Sequence, residues 1–183
     1  AASDVYKRQV PDGDPIEAHT DLVKKLDYEC ELAVVLGKDA RDVPAGQTRD
    51  YIFGYTILND VSARDVQTAH KQWYFGKSLD GFTPIGPCIV TADAFADYPP
   101  RLGIRSFVNG EKRQDSNTAL QIFDIDHVIA ELSQGMTLKA GTIIATGTPA
   151  GVGMGMDPPQ FLKPGDVVRC EIDGIGTLTN PVK

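Results

Sequence analysis

Glu29 and Glu31 stand one residue apart in the run Asp-Tyr-Glu-Cys-Glu-Leu-Ala-Val-Val-Leu from 27 to 36. On a β-strand, side chains at i and i+2 share a face, so both carboxylates would aim into one space just ahead of an apolar stretch expected to be core. Two carboxylates at close range repel and raise each other's pKa unless a cation lies between them. A hard divalent ion with oxygen ligands relieves that repulsion, which makes the pair a candidate metal site. The competing reading is a solvated strand face, the commoner fate of a Glu-x-Glu pair.

Asp60 supplies a third carboxylate. It ends the run Tyr51-Ile52-Phe53-Gly54-Tyr55-Thr56-Ile57-Leu58-Asn59, aromatic and β-branched, which reads as a buried strand. Three carboxylates with about three positions left for water or substrate suit Mg²⁺ or Mn²⁺. Beyond Asp60 the chain is dense in polar groups. Arg64 and Gln67 lie three apart, so a helix over 61–70 would put them on one face, within reach of one ligand. An arginine beside a metal can grip a substrate carboxylate with two hydrogen bonds, and Lys77 offers a compact charge for a developing enolate.

In these segments the chain resembles the fumarylacetoacetate hydrolase family, over a stretch from Gly13 to Lys183. The matching motifs are Asp27-Tyr28-Glu29-x-Glu31-Leu32-Ala33-Val34-Val35, Gly54-Tyr55-Thr56-x-x-Asn59-Asp60-Val61-Ser62-Ala63-Arg64-Asp65-x-Gln67 and Gly76-Lys77-Ser78-x-Asp80. Pro84-x-Gly86-Pro87, Val108-Asn109-Gly110-Glu111 and Gly147-Thr148-Pro149-x-Gly151-Val152-Gly153 follow in order. Each is a weak signal alone, and their shared order is a strong one.

The resemblance implies that Glu29, Glu31 and Asp60 hold Mg²⁺ or Mn²⁺, and that Arg64, Gln67, Lys77 and Thr148 line the substrate site, with Lys77 in a catalytic role. It implies a small 2-oxo acid or 1,3-dicarbonyl as substrate, handled through a metal-stabilised enolate by C–C bond hydrolysis, decarboxylation or isomerisation. It also implies a homodimer. Active members of the family carry a His and a Glu on a lid upstream of the Gly-Asp-Pro-Ile that stands here at 13–16. The residues before Gly13 include no His, and His19, His70 and His127 fall outside that motif. The expectation is a catalytic domain over 10–183 lacking that lid, behind a non-native leader at 1–9. A catalytically silent metal- or ligand-binding fragment is the alternative. His19 is expected to be an exposed loop histidine.

A chain of 183 residues is long enough for one sizeable core. Its net charge of −7 and lack of a basic patch argue against a nucleic-acid partner. No apolar run approaches the ~18 residues of a membrane span. Cys30, Cys88 and Cys170 show no pattern, so buried, reduced thiols in a cytoplasmic protein are expected. Cys30, between the two glutamates, should point to the opposite strand face and not act as a ligand.

The elements that must position these residues are mostly β. Strands are expected at 28–36, 51–58, 85–91, 102–108, 142–146, 166–173 and 175–180, with hairpin turns at Asn109-Gly110 and Asp173-Gly174. Helices are expected at 61–70 and at 124–133, where Ile125, Val128, Ile129 and Leu132 recur at helical spacing behind an Asp124 cap. The fold class is mainly β (α+β), a mixed β-roll or distorted barrel with a few peripheral helices. Trp73, Tyr74 and Phe75 are expected in the core or at a dimer interface. The glycine-rich loop 147–159 has two readings: an ordinary flexible connection, which its residues alone favour, or a segment whose backbone N–H groups approach an anion with the Thr148 hydroxyl as a donor to a substrate carboxylate.

Overall fold

The computed structural model describes residues 8–69 and 71–183. The strands are β1 (Gln9–Val10), β2 (Leu26–Asp27), β3 (Cys30–Leu36), β4 (Ile52–Asn59), β5 (Ser62–Ala63) and β6 (Thr83–Thr91). They continue with β7 (Gly103–Val108), β8 (Glu111–Asn117), β9 (Ile143–Ala145), β10 (Val167–Ile172) and β11 (Gly176–Pro181). Among the described residues, three short α-helices join them: α1 (Arg64–Ala69), α2 (Trp73–Lys77) and α3 (Ile125–Leu132). The fold is mainly β, as the sequence implies, and curls into a half-barrel.

One sheet has the order β1-β6-β4-β3-β9, the second β11-β10-β7-β8, and β2 pairs with β5 as a separate ribbon. The hydrophobic run of β3 explains its central position: every one of its residues is buried, on both faces. Cys30, Leu32, Val34 and Leu36 enter a core that Ile57, Ile104, Cys170, Ile172 and Leu178 complete from the neighbouring strands. A fully buried Leu or Ile of this kind contributes about 1.5–3 kcal/mol relative to exposure. Rigidity at β3 is inherited by the carboxylates at its start.

Asn109 (φ 52°) and Gly110 (φ 83°) form the expected tight turn between β7 and β8. β8 itself reads Glu-Lys-Arg-Gln-Asp-Ser-Asn, with no apolar residue, and was not expected as a strand. The turn imposes its register on β7, and a polar strand is at home on a sheet edge. At the other hairpin the connection is Asp173-Gly174-Ile175, one residue longer than expected, closed by Ile175 N–H on the Ile172 carbonyl.

The helix expected at 61–70 starts three residues late. Ser62 and Ala63 pair with β2 instead, and His70 lies outside the described residues. α3 is as expected, with Asp124 accepting the His127 N–H at 2.8 Å. α2 is an addition: five residues that include Gly76 carry no readable helical pattern. Trp73, Tyr74 and Phe75 are exposed at 64%, 51% and 45%, which corrects the core reading for them. Packing of α2 onto α1 leaves these rings outward and buries Gly76. No helix among the described residues is long and apolar enough to cross a membrane.

Candidate metal centre

The strand alternation that should align Glu29 and Glu31 is completed by a side chain. Glu29 lies just before β3, and its N–H is taken by Asn59 Oδ1 at 2.9 Å, while its carbonyl accepts the Asp60 N–H at 2.9 Å. These two bonds hold Asp60, one residue past β4, beside Glu29. One oxygen each from Glu29, Glu31 and Asp60 then falls within 4.8 Å of the others. The solvated-face reading fails here, because Glu29 and Glu31 are 9% and 3% exposed.

Two cations face the cluster. Arg64 Nη1 lies 2.7 Å from Glu29 Oε1, and Lys77 Nζ lies 2.8 Å from Glu29 Oε2 and 2.5 Å from Asp60 Oδ2. Gln67 joins them through its Oε1, which accepts from Arg64 Nη1 at 3.2 Å, so the two residues do share a helix face. Gly76 makes the position of Lys77 possible: a Cβ there would sit 2.6 Å from the Gln67 nitrogen. Only a residue without a side chain lets α2 approach α1 that closely.

Glu31 touches neither cation. Its Oε2 accepts the Gly147 N–H at 2.7 Å, a bond that ties the glycine-rich segment to the cluster. Burial pushes the Glu31 carboxyl up to about 8, and the Asp60 charge adds to that, against the lowering effect of the Gly147 N–H. Burial also raises Asp60, although Lys77 pulls it down. Burial alone would lower the Lys77 amine, but the Asp60 and Glu29 charges outweigh it and raise it. Lys77 is therefore a firmly held ammonium.

Thr148 is brought to the same region, but its hydroxyl is engaged. It donates to the Cys30 carbonyl at 2.8 Å and accepts from Gln114 Nε2 at 2.8 Å. The expectation that it donates to a substrate therefore requires this bond to open. Cys30 points away from the carboxylates, as expected, into the core beside Cys170. Cys88 is exposed, contrary to the buried position expected of it. His19 is half-buried, with Nε2 2.8 Å from the Asp80 carbonyl and its ring edge-on to Phe82. That corrects the exposed-loop reading.

Two residues without an expected role organise the site. Gln114 is fully buried and accepts the Cys30 N–H at 3.1 Å while donating to Thr148 and, at 2.7 Å, to the Pro149 carbonyl. Asp27, also fully buried, pairs with Arg64 Nε at 2.9 Å. Asp27 continues the alternation of Glu29 and Glu31, a signal present in the sequence.

The donor set suits a hard divalent ion. Among the described residues, Asp27, Glu29, Glu31 and Asp60 are grouped with Arg64 and Lys77, and these six groups have a formal balance of −2 when all are ionised. A divalent cation would neutralise it, and an all-oxygen set is the chemistry that Mg²⁺ and Mn²⁺ prefer.

Residues 7–183 match the family described as fumarylacetoacetate (FAA) hydrolase C-terminal. An oxaloacetate tautomerase of Bacillus subtilis (strain 168) is 49% identical over 170 residues, which cover 93% of this chain and 56% of that protein. A fumarylacetoacetate hydrolase from the psychrophile Exiguobacterium antarcticum has the same fold with a TM-score of 0.94 at 51% identity, over 97% of this chain and 63% of its own. A 5-carboxymethyl-2-hydroxymuconate delta-isomerase from Mycobacterium smegmatis gives 0.85 at 41% identity, over 96% and 66%. The chain thus spans about half the length of the curated relative.

Proposed function

The chain belongs to the fumarylacetoacetate hydrolase family, and from that premise we propose a divalent-metal-dependent enzyme acting on a small 2-oxo acid or 1,3-dicarbonyl. Glu29, Glu31 and Asp60 are the residues that would hold Mg²⁺ or Mn²⁺. The observation that carries the reading is the buried approach of those three carboxylates beside Arg64 and Lys77. An ion bound there supplies Lewis-acid charge to a substrate carbonyl oxygen.

The chain's own groups do the rest. Arg64 and Gln67 present hydrogen-bonding groups from one face of α1, suited to orienting a substrate carboxylate. Lys77, which contacts Glu29 and Asp60, would act as a positive charge beside an enolate. Gly147 steadies Glu31, and Thr148 borders the same space. Isomerisation, decarboxylation and C–C hydrolysis share the need to stabilise an enolate. Movement of a proton within a 2-oxo acid is the member of that group we favour, in line with the tautomerase and the isomerase among the relatives.

We further propose that residues 10–183 work as one catalytic domain in the cytoplasm, as a homodimer. Exposed Leu120, Ile122 and Phe123 support self-association through an apolar face. The enzyme reading is tested by following oxaloacetate and acetylpyruvate in the ultraviolet with Mg²⁺ and with EDTA. Metal-dependent conversion of either supports it. Metal binding without conversion of any 2-oxo acid would favour a silent binding domain.

A further inference from the structure

Asp27 has no place in the ligand set, yet its carboxylate is the most fully used of the group. Oδ1 accepts the N–H groups of Tyr28 at 2.9 Å and Gly153 at 2.7 Å. Oδ2 accepts the Met154 N–H at 3.0 Å and Arg64 Nε at 2.9 Å. Four donors fill the lone pairs of a side chain that solvent does not reach. Two of those donors belong to the glycine-rich segment that also carries Gly147 and Thr148, and one to the guanidinium that faces Glu29.

We infer that Asp27 is a positioning residue: it fixes the Arg64 guanidinium through Nε so that its Nη edge faces the bound anion, and locks the segment after Thr148 to the same point. This role rests on the proposed metal-dependent site. Geometry makes the coupling obligatory. An arginine held at one end by a buried carboxylate loses rotational freedom, and its remaining donors are aimed before any ligand arrives. Gly153 can approach Asp27 only because it has no side chain: a Cβ would be 2.8 Å from Oδ1 and 2.0 Å from the Gln160 carbonyl. Asp27→Asn keeps the size and some acceptor capacity, but its amide nitrogen would oppose the donors on one side, either Met154 and Arg64 or Tyr28 and Gly153.

Oxalate, a small dicarboxylate that chelates hard ions, is the probe, titrated calorimetrically into protein loaded with Mn²⁺. The expected result is that Arg64→Met and Asp27→Asn each weaken oxalate by about tenfold or more, the loss expected of a charge-assisted hydrogen bond. The double variant should bind no worse than Arg64→Met alone, since coupled residues are non-additive. Mn²⁺ should bind all three at least as well as the parent: Asp27 lies outside the ligand set, and Arg64→Met releases Glu29 Oε1 from its ion pair. Additive losses, or an Asp27→Asn that binds oxalate like the parent while Arg64→Met does not, would overturn the role of Asp27 and leave the metal centre standing. Failure of the parent to bind Mn²⁺ or oxalate would overturn the site reading, and this inference with it. Should Asp27→Asn not fold, nitrogen-15 arginine spectra of the parent decide. A slowly exchanging Arg64 Nε–H, undisturbed by oxalate, supports the role, and a rapidly exchanging one overturns it.

Discussion

The Gly147 N–H donates to Glu31 Oε2 over 2.7 Å, so among the described residues the acidic group of the cluster that touches neither Arg64 nor Lys77 is held by a backbone donor. Gly147 does this at φ +96°, a conformation that side chains resist, with open space around its missing Cβ. Gly147→Ala should therefore cost about 1–2 kcal/mol from backbone strain and not from a clash. Denaturant midpoints would register that loss, and Mn²⁺ affinity should fall with it as Glu31 loses its fixed orientation.

A pH dependence follows from Glu31. Its carboxyl is raised from the ordinary 4.5 to about 8, so the folded, metal-free chain holds this proton more tightly than the unfolded chain does. Stability of the metal-free protein should decline as pH rises between those two values, because ionisation costs more in the folded state. Metal binding requires the ionised form, so divalent affinity should climb over the same window with proton release, then level off above about 8. Thermal unfolding at pH 5.5 and pH 8.5, with Mn²⁺ and with EDTA, gives the check as a wider gap between the two curves at the higher pH. Equal gaps would show that metal binding does not displace a proton from Glu31 in this range.

Lys77 should separate charge stabilisation from metal binding. Replacing it with methionine removes the ammonium that shares oxygens with Glu29 and Asp60, so Mn²⁺ should bind at least as well as in the parent. Turnover should nevertheless fall by about 10²-fold or more, the usual cost of deleting a donor aimed at developing negative charge. Steady-state kinetics at saturating metal measure the loss. An unchanged rate would remove Lys77 from the chemistry.

Gln114 is a structural counterpart. Its fully buried amide pairs with the Cys30 N–H, also fully buried, and with the half-buried Thr148 hydroxyl and Pro149 carbonyl. Gln114→Leu should cost about 1–3 kcal/mol for each buried group left unpaired, read from equilibrium unfolding. Thr148→Val removes the bonds to Gln114 Nε2 and to the Cys30 carbonyl but leaves Gln114 paired with the Cys30 N–H and the Pro149 carbonyl, so it should cost less.

The legible part of this molecule is the part that alternates. Glu29 and Glu31 ahead of an apolar run, and Asp60 at the end of another, mark two buried neighbouring strands whose ends must meet. The Asn109-Gly110 turn and the Asp124 cap were likewise readable, since each is a local preference that the tertiary structure leaves intact. β8 was hidden because its strand state comes from β7 and not from its own polar residues. α2 was hidden because tertiary packing at Gly76, not propensity, forms it. The alternation places Asp27 on the face of Glu29 and Glu31, but its partners Arg64 and Gly153 were hidden, because the break between β2 and β3 turns it toward them.

Mn²⁺ titration of the parent protein beside Glu31→Gln and Asp60→Ala, followed by electron paramagnetic resonance with circular dichroism as a fold control, tests the metal centre most directly. Glu29, Glu31 and Asp60 acting together require one site in the parent and loss of at least about tenfold in affinity for each variant, with the fold kept. Undiminished Mn²⁺ binding by both folded variants would show that these carboxylates do not form the centre.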